Sequence, residues 1–190
     1  MGSARAERLD ALYQTAQAQS GFFTTAQARA AGYSPRLLTH HAAHHRFERW
    51  GRGIYRLVHF PQLTDAEDLV VHWLWSGQAG VFSHETALQL HQLSDAPPAR
   101  VYMTLPLDWA KRRLRVPEGL RLYYRPVGAN ERVQLKGVPV TSPARTVNDC
   151  AEAFVLPDLV QQAVEEGLER QLFEANEVEP ALAYTREQCG

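Results

Sequence analysis

The stretch Thr24-Thr25-Ala26-Gln27-Ala28-Arg29-Ala30-Ala31-Gly32-Tyr33-Ser34-Pro35 constrains this chain most, because it holds a helix start, a stop and a second start in close succession. Thr24 to Gln27 has the S/T-x-x-E/Q spacing, in which a cap hydroxyl and a third-position amide satisfy each other's backbone donors. A helix is expected from about Thr25 to Ala31. Gly32 suits the left-handed residue that closes a helix, Ser34 suits the cap of the next, and Pro35 suits its first position, where a missing N–H costs nothing. Two helices joined by a turn of about three residues have helix-turn-helix spacing.

The flanking sequence completes the unit. Ala6 to Ala18 carries Leu9, Leu12, Tyr13 and Ala16 at helical spacing, Gly21 ends that helix, and Phe22-Phe23 is a short apolar segment. A third helix is expected from Pro35 to about His45. Phe47 to Trp50 and Ile54 to Leu57 then read as strands separated by Gly51-Arg52-Gly53, a hairpin signal. Three helices followed by a hairpin make a winged helix-turn-helix, whose third helix fits a major groove about 12 Å wide while the hairpin follows phosphates. The candidate double-stranded-DNA contacts are Thr25, Ser34, Arg36, Thr39, His40, His44, Arg46, Arg49 and Arg52, with Arg56 counted as a further phosphate partner.

Charge agrees with that assignment. Residues 1–60 hold eight arginines against three carboxylates, or +5, residues 61–145 come to +2, and residues 146–190 come to −8, the whole chain being −1. A basic head and an acidic tail point to two different partners.

The histidines raise a metal alternative, because His40 with His44 and His41 with His45 have the i, i+4 spacing by which two imidazoles share zinc. Two ligands are too few. The only nearby carboxylate is Glu48, and Arg46 and Arg49 repel a cation, so neither a metal nor a cofactor is expected. Instead His41 and His45 are expected on the inner face with Leu37, Leu38 and Ala42, and His40 and His44 on the outer face with Arg36, Thr39 and Ala43.

Beyond Pro61 a second unit is expected. Thr64-Asp65-Ala66-Glu67 repeats the capping-box spacing and opens a helix to about Trp75, and Ser83 caps another to about Leu93. Val101–Leu105, Leu120–Arg125 and Val138–Val140 read as strands in a mostly antiparallel arrangement. Helices follow from Ser142-Pro143 through Cys150 and from Pro157 to Glu169. His84-Glu85 lacks the second histidine of a zinc-protease motif, Leu88 standing there, so Ser83 is read as a cap, Glu85 as a favourable charge on the helix dipole, and Leu88 and Leu90 as core. No Asp followed by Glu-x-Lys supports a nuclease, and the chain is not expected to be an enzyme. Lys111, Arg112, Arg113 and Arg115, after Trp109, are a solvated loop, an extension of the DNA footprint or a protein contact, and the residues alone do not choose.

With 190 residues and 45% hydrophobic side chains the chain can form one sizeable domain or two small ones. No run approaches the roughly 18 apolar residues needed to span a bilayer, and MGSARAERLDALYQ lacks a signal peptide's apolar block, so a cytoplasmic location is expected. Two cysteines are too few for a disulfide framework; Cys150 is expected in a buried helix and Cys189 in a frayed tail.

The segments GFFTTAQARAAGYSPRLLTHH, RWGRGIYRL, GVFSHETALQLHQL and GVPVTSPARTVNDCAE together resemble the abortive-infection AbiEi-type antitoxins, over about Leu9 to Glu152. The resemblance implies a winged-helix head and a second α/β domain. It also implies a transcriptional autorepressor that binds inverted repeats at its own operon, as a homodimer, and opposes a co-encoded nucleotidyltransferase-fold toxin. A related head also occurs on proteins ending in a nuclease-like domain, and a winged helix that binds only protein is the third alternative. The expectation is therefore an α+β chain with a winged helix-turn-helix at 1–60 and a mixed helix and antiparallel-strand antitoxin domain at 61–190.

Overall fold

The computed structural model describes residues 2–61, 66–95 and 97–189, with residues 2–5 and 189 described by their backbone alone. By its contacts the chain divides between Gln78 and Ala79, further along than the expected division at about residue 60.

The first unit begins with α1 (Gly2–Gln17), of which Leu12 and Ala16 are fully buried while Leu9 and Tyr13 remain about half exposed. The Phe22-Phe23 segment is a strand, β1 (Phe22–Thr24). Gly21, before it, has φ +85°, and a Cβ there would lie 2.6 Å from the Phe60 ring, so both its conformation and its surroundings require glycine. Next come α2 (Thr25–Ala30), α3 (Pro35–Ala43), β2 (Phe47–Gly51) and β3 (Ile54–Leu57). The capping box forms as spaced: the Gln27 N–H donates to Thr24 Oγ1 at 3.1 Å and the Thr24 N–H to Gln27 Oε1 at 2.8 Å. Strand order is β1-β3-β2, both pairings antiparallel, with a register shift between Arg49 and Gly51.

Leu12, Ala16, Phe23, Ala28, Tyr33, Leu38, Phe47, Leu57 and Phe60 form this unit's core, with Phe23 edge-on to Phe47 and stacked on Tyr55. Each large side chain so buried contributes about 1.5–3 kcal/mol. Buried Gln19 ties the pieces together. Its amide donates to the carbonyls of Thr15 and Phe22, and its oxygen accepts from Gln27 and Gln78. The last element, α4 (Glu67–Trp75), buries Val70 and Leu74 and packs on β1 and β3, which is why the first unit extends to Gln78. The capping box expected from Thr64 lies outside the described residues.

The second unit is built from β4 (Val81–Phe82), α5 (His84–His91), β5 (Val101–Leu105), β6 (Leu120–Tyr124), β7 (Arg132–Leu135), β8 (Val138–Thr141), α6 (Pro143–Glu152), α7 (Pro157–Glu169) and α8 (Glu179–Cys189). Its sheet has the order β6-β5-β4-β8-β7. The pairings β4–β5 and β7–β8 are antiparallel, while β4–β8 and β5–β6 are parallel, so the sheet is mixed where mostly antiparallel strands were expected. The long connection from Pro106 to Gly119 is what lets β6 return in the direction of β5. The four helices bury Leu88, Leu93, Val147, Cys150, Ala163, Val164, Phe173 and Val178 in one cluster. Close packing there requires Gly167, where a Cβ would lie 2.1 Å from the Phe173 ring. Neither β7 nor α8 was expected. Arg132, Val133 and Gln134 are exposed along β7, an edge strand, and α8 brings Ala181 and Thr185 to the core, so neither has an apolar pattern to announce it. Cys150 is buried and free, as read, and burial pushes its thiol well up; the Cys189 backbone closes α8 and is not in a tail.

Candidate nucleic-acid interface

One face of α3 is made for the core and the other is left to solvent. The Ser34 hydroxyl accepts from the Leu37 N–H at 3.2 Å, and Pro35 occupies the first turn. Leu38 is buried and Leu37 half-buried, whereas Arg36, Thr39, His40 and Ala43 are exposed at i, i+3, i+4 and i+7, a single stripe. The Thr39 hydroxyl donates back to the Pro35 carbonyl at 3.1 Å.

The histidines divide three ways. His44 Nδ1 lies 2.7 Å from the His40 carbonyl, which can only accept, so in this contact Nδ1 carries the hydrogen. The His40 and His44 rings lie 4.1 Å apart at the exposed end of α3. His41 packs edge-on to Tyr33 and lies 5.0 Å from Phe47, as an inner-face residue should. His45 departs from expectation. The helix stops at Ala43, and the Arg46 N–H reaches the His41 carbonyl while the His45 N–H reaches that of Ala42, the Schellman pattern. That leaves His45 in the left-handed region at φ +50° and exposed, outside the inner face.

The hairpin carries the remaining cations. Arg46, Arg49 and Arg52 are exposed, and none of them has an ion pair among the described residues; Arg49 Nε donates to the Gly51 carbonyl at 3.4 Å. Trp50 is nearly half exposed, with its ring edge-on to Phe22 at 5.2 Å. Thr25 has a local partner: its N–H and its hydroxyl both donate to the Gly53 carbonyl, at 2.8 and 3.3 Å, which ties the start of α2 to the hairpin turn. Arg56 is withdrawn from the surface. Its guanidinium is 2.8 Å from Glu67, lies over the Phe22 ring and is largely buried, so it fastens α4 to the sheet, whereas Arg36, Arg46, Arg49 and Arg52 stay exposed.

In the second unit, SHETALQLH and SPARTVND meet. The Ser83 hydroxyl does not cap α5. It accepts from Thr104 Oγ1 at 2.8 Å and lies 2.9 Å from His84 Nδ1. His84 is 1% exposed and stacks on Tyr123 with centroids 3.7 Å apart. Burial, then the charges of Arg125 and Arg145, push its pKa down to about 3, so it is neutral. Arg145 bridges Glu131 and Asp149, each at 2.8 Å, and Arg125 pairs with Glu152. Asp149 is 2% exposed, and burial raises its pKa against the pull of Arg145. These contacts join α5, β6 and α6, and the sequence does not announce them because, apart from Ser83 with His84 and the i, i+4 pair Arg145–Asp149, the partners lie far apart along the chain. The basic run begins at the end of a short 3-10 turn, Leu107–Lys111, and the Arg112 guanidinium lies 4.0 Å over Trp109 and 3.1 Å from Asp108. Among the described residues, no group of three or more His, Cys, Asp or Glu side chains could hold a metal ion, and no helix is long and apolar enough to cross a membrane.

Residues 10–58, which run from within α1 through β3, match the family described as "Transcriptional regulator, AbiEi antitoxin". The match supports a regulator or antitoxin role for the chain. Among solved structures, the RV2827C protein from Mycobacterium tuberculosis is similar, at 16% identity and a TM-score of 0.48, covering 92% of this chain and 74% of that one. No curated protein matches the chain.

Proposed function

We propose that this chain, whose residues 10–58 match the AbiEi antitoxin regulators, binds double-stranded DNA through its first unit and represses its own operon as a homodimer on inverted repeats. The second unit counters a co-encoded toxin of nucleotidyltransferase fold. The observation that carries the DNA reading is the exposed stripe Arg36-Thr39-His40 beside the unpaired hairpin arginines Arg46, Arg49 and Arg52. Side chains of these types suit base edges in a major groove and phosphates on either side of it. The acidic balance of residues 146–190 is repelled by phosphate and suits a protein partner.

The test is a gel shift on the chain's own upstream region across a salt series. Four exposed arginines, without ion pairs among the described residues, give a log–log slope of about −3.6 per protomer, a loss of about 150-fold between 50 and 200 mM salt. A flat salt response refutes the reading. Growth on co-expression with the neighbouring gene tests the antitoxin part.

A further inference from the structure

The turn between α6 and α7 presents two large apolar side chains to water. Phe154 is 79% exposed and Leu156 69% exposed, the highest values among the large hydrophobic residues described. Phe154 also closes α6 with a φ of +54°, its N–H donating to the Ala151 carbonyl and the Val155 N–H to that of Cys150. Glycine or asparagine normally fills this position, because a side chain is strained there. The same left-handed closure recurs at other helix ends of the chain, so what sets this turn apart is its exposure: two adjoining large apolar side chains left in water, which is a mark of an interaction surface.

The turn is held from behind. Val155, between the two exposed residues, packs on the helical core, its carbonyl accepts from the Tyr184 hydroxyl at 2.8 Å, and the Tyr184 ring meets Phe154 edge-on at 6.1 Å. Phe154 and Leu156 therefore stand on a fixed base. From the turn α7 runs away with Asp158, Glu165 and Glu169 exposed on one face, Asp158 two residues after Leu156 and Glu165 and Glu169 about 10 and 16 Å further along the helix; none of these has an ion pair among the described residues. The two arginines of residues 146–190, Arg170 and Arg186, are already paired with Glu166 and Glu179.

We infer that the Phe154–Leu156 turn, with the acidic face of α7 that extends from it, is a docking knob for a separate protein whose contact face is an apolar socket continued by lysine and arginine. The acidic face rejects nucleic acid, and it rejects a symmetric contact with the same face of a second copy. The inference rests on the reading that the second unit acts on a co-encoded protein.

The probe is the product of the neighbouring gene, purified with the full chain and titrated by calorimetry at low and high salt. Phe154→Gly relieves the left-handed position, so that variant is expected to keep a Tm no lower than that of the unaltered chain and to bind upstream DNA unchanged. Its affinity for the neighbouring protein is expected to fall at least tenfold. Leu156→Ser is expected to lose a similar factor, and Leu107→Ser, at another exposed apolar position of the second unit, to lose none. High salt is expected to weaken the unaltered complex. Any of three results overturns the inference: no complex forms, both turn variants bind as tightly as the unaltered chain, or Phe154→Gly abolishes self-association measured by sedimentation. Failure of the gel shift with the complex intact removes the DNA reading and leaves the docking knob standing.

Discussion

Acid should loosen the second unit through one buried imidazole. His84 has a pKa near 3 in the folded chain, and a free histidine titrates near 6.5. The folded state thus holds the neutral ring while the unfolded chain takes up a proton as pH falls below 6.5. Stability from this residue is complete above 6.5 and is lost progressively down to the folded value. The linkage integral gives a loss of about 2 kcal/mol at pH 5 and about 3.3 kcal/mol at pH 4. His91, also lowered by burial, acts in the same direction, and Asp149, raised by burial, acts in the opposite one. A matched variant separates them. His84→Asn retains a residue that tolerates φ +52° and removes the titration; it is less stable at neutral pH because it loses the stack on Tyr123. Native-state amide exchange of β5 and β6 reports the opening free energy of this unit alone. The unaltered chain is expected to lose about 2 kcal/mol more than His84→Asn between pH 7 and pH 5. Equal losses in the two proteins, or a His84 ring resonance titrating near 6.5, would refute the reasoning.

Two further predictions concern the first unit. Arg49→Ala and Arg52→Ala should weaken binding to upstream and random duplexes alike in gel shifts, whereas Arg36→Ala and His40→Ala should cost about 1–3 kcal/mol mainly on the upstream sequence. Equal losses on both duplexes for all four would remove α3 from the groove. His45→Gly should raise stability to urea by about 1 kcal/mol, because glycine occupies the left-handed closing position of α3 without strain. An unchanged midpoint would mean that His45 makes a compensating contact.

Helix starts were more legible than helix ends. The Thr24–Gln27 box and the Ser34-Pro35 pair act within one turn of chain, so residue type and spacing were enough. The ends of α3, α5, α6 and α7 are closed by left-handed His45, Gln92, Phe154 and Gln171, where a sequence reading looks for glycine. The expected boundary of α3 at about His45 therefore overran the helix, and with it the inner-face place given to His45. Ser83 had a cap's position and spacing, but Thr104 from a neighbouring strand draws its hydroxyl into the sheet.

The sequence by itself determined what depends on neighbours along the chain: the helix-turn-helix, the hairpin, the exposed stripe Arg36-Thr39-His40 and the contrast between a basic head and an acidic tail. Tertiary structure decided which of those groups remain free. Arg56 reads from the sequence as one more hairpin cation, yet Glu67 and the Phe22 ring take it out of reach of phosphate. Thr25 reads as a surface hydroxyl, yet it donates to Gly53 across the turn. Strand direction in the second sheet and the meeting of His84 with Tyr123 were decided there too. The physical reason is common to all of them: a capping bond or a helical face is closed within a few residues, whereas an ion pair, a ring stack or a strand pairing forms only when the fold brings distant residues together.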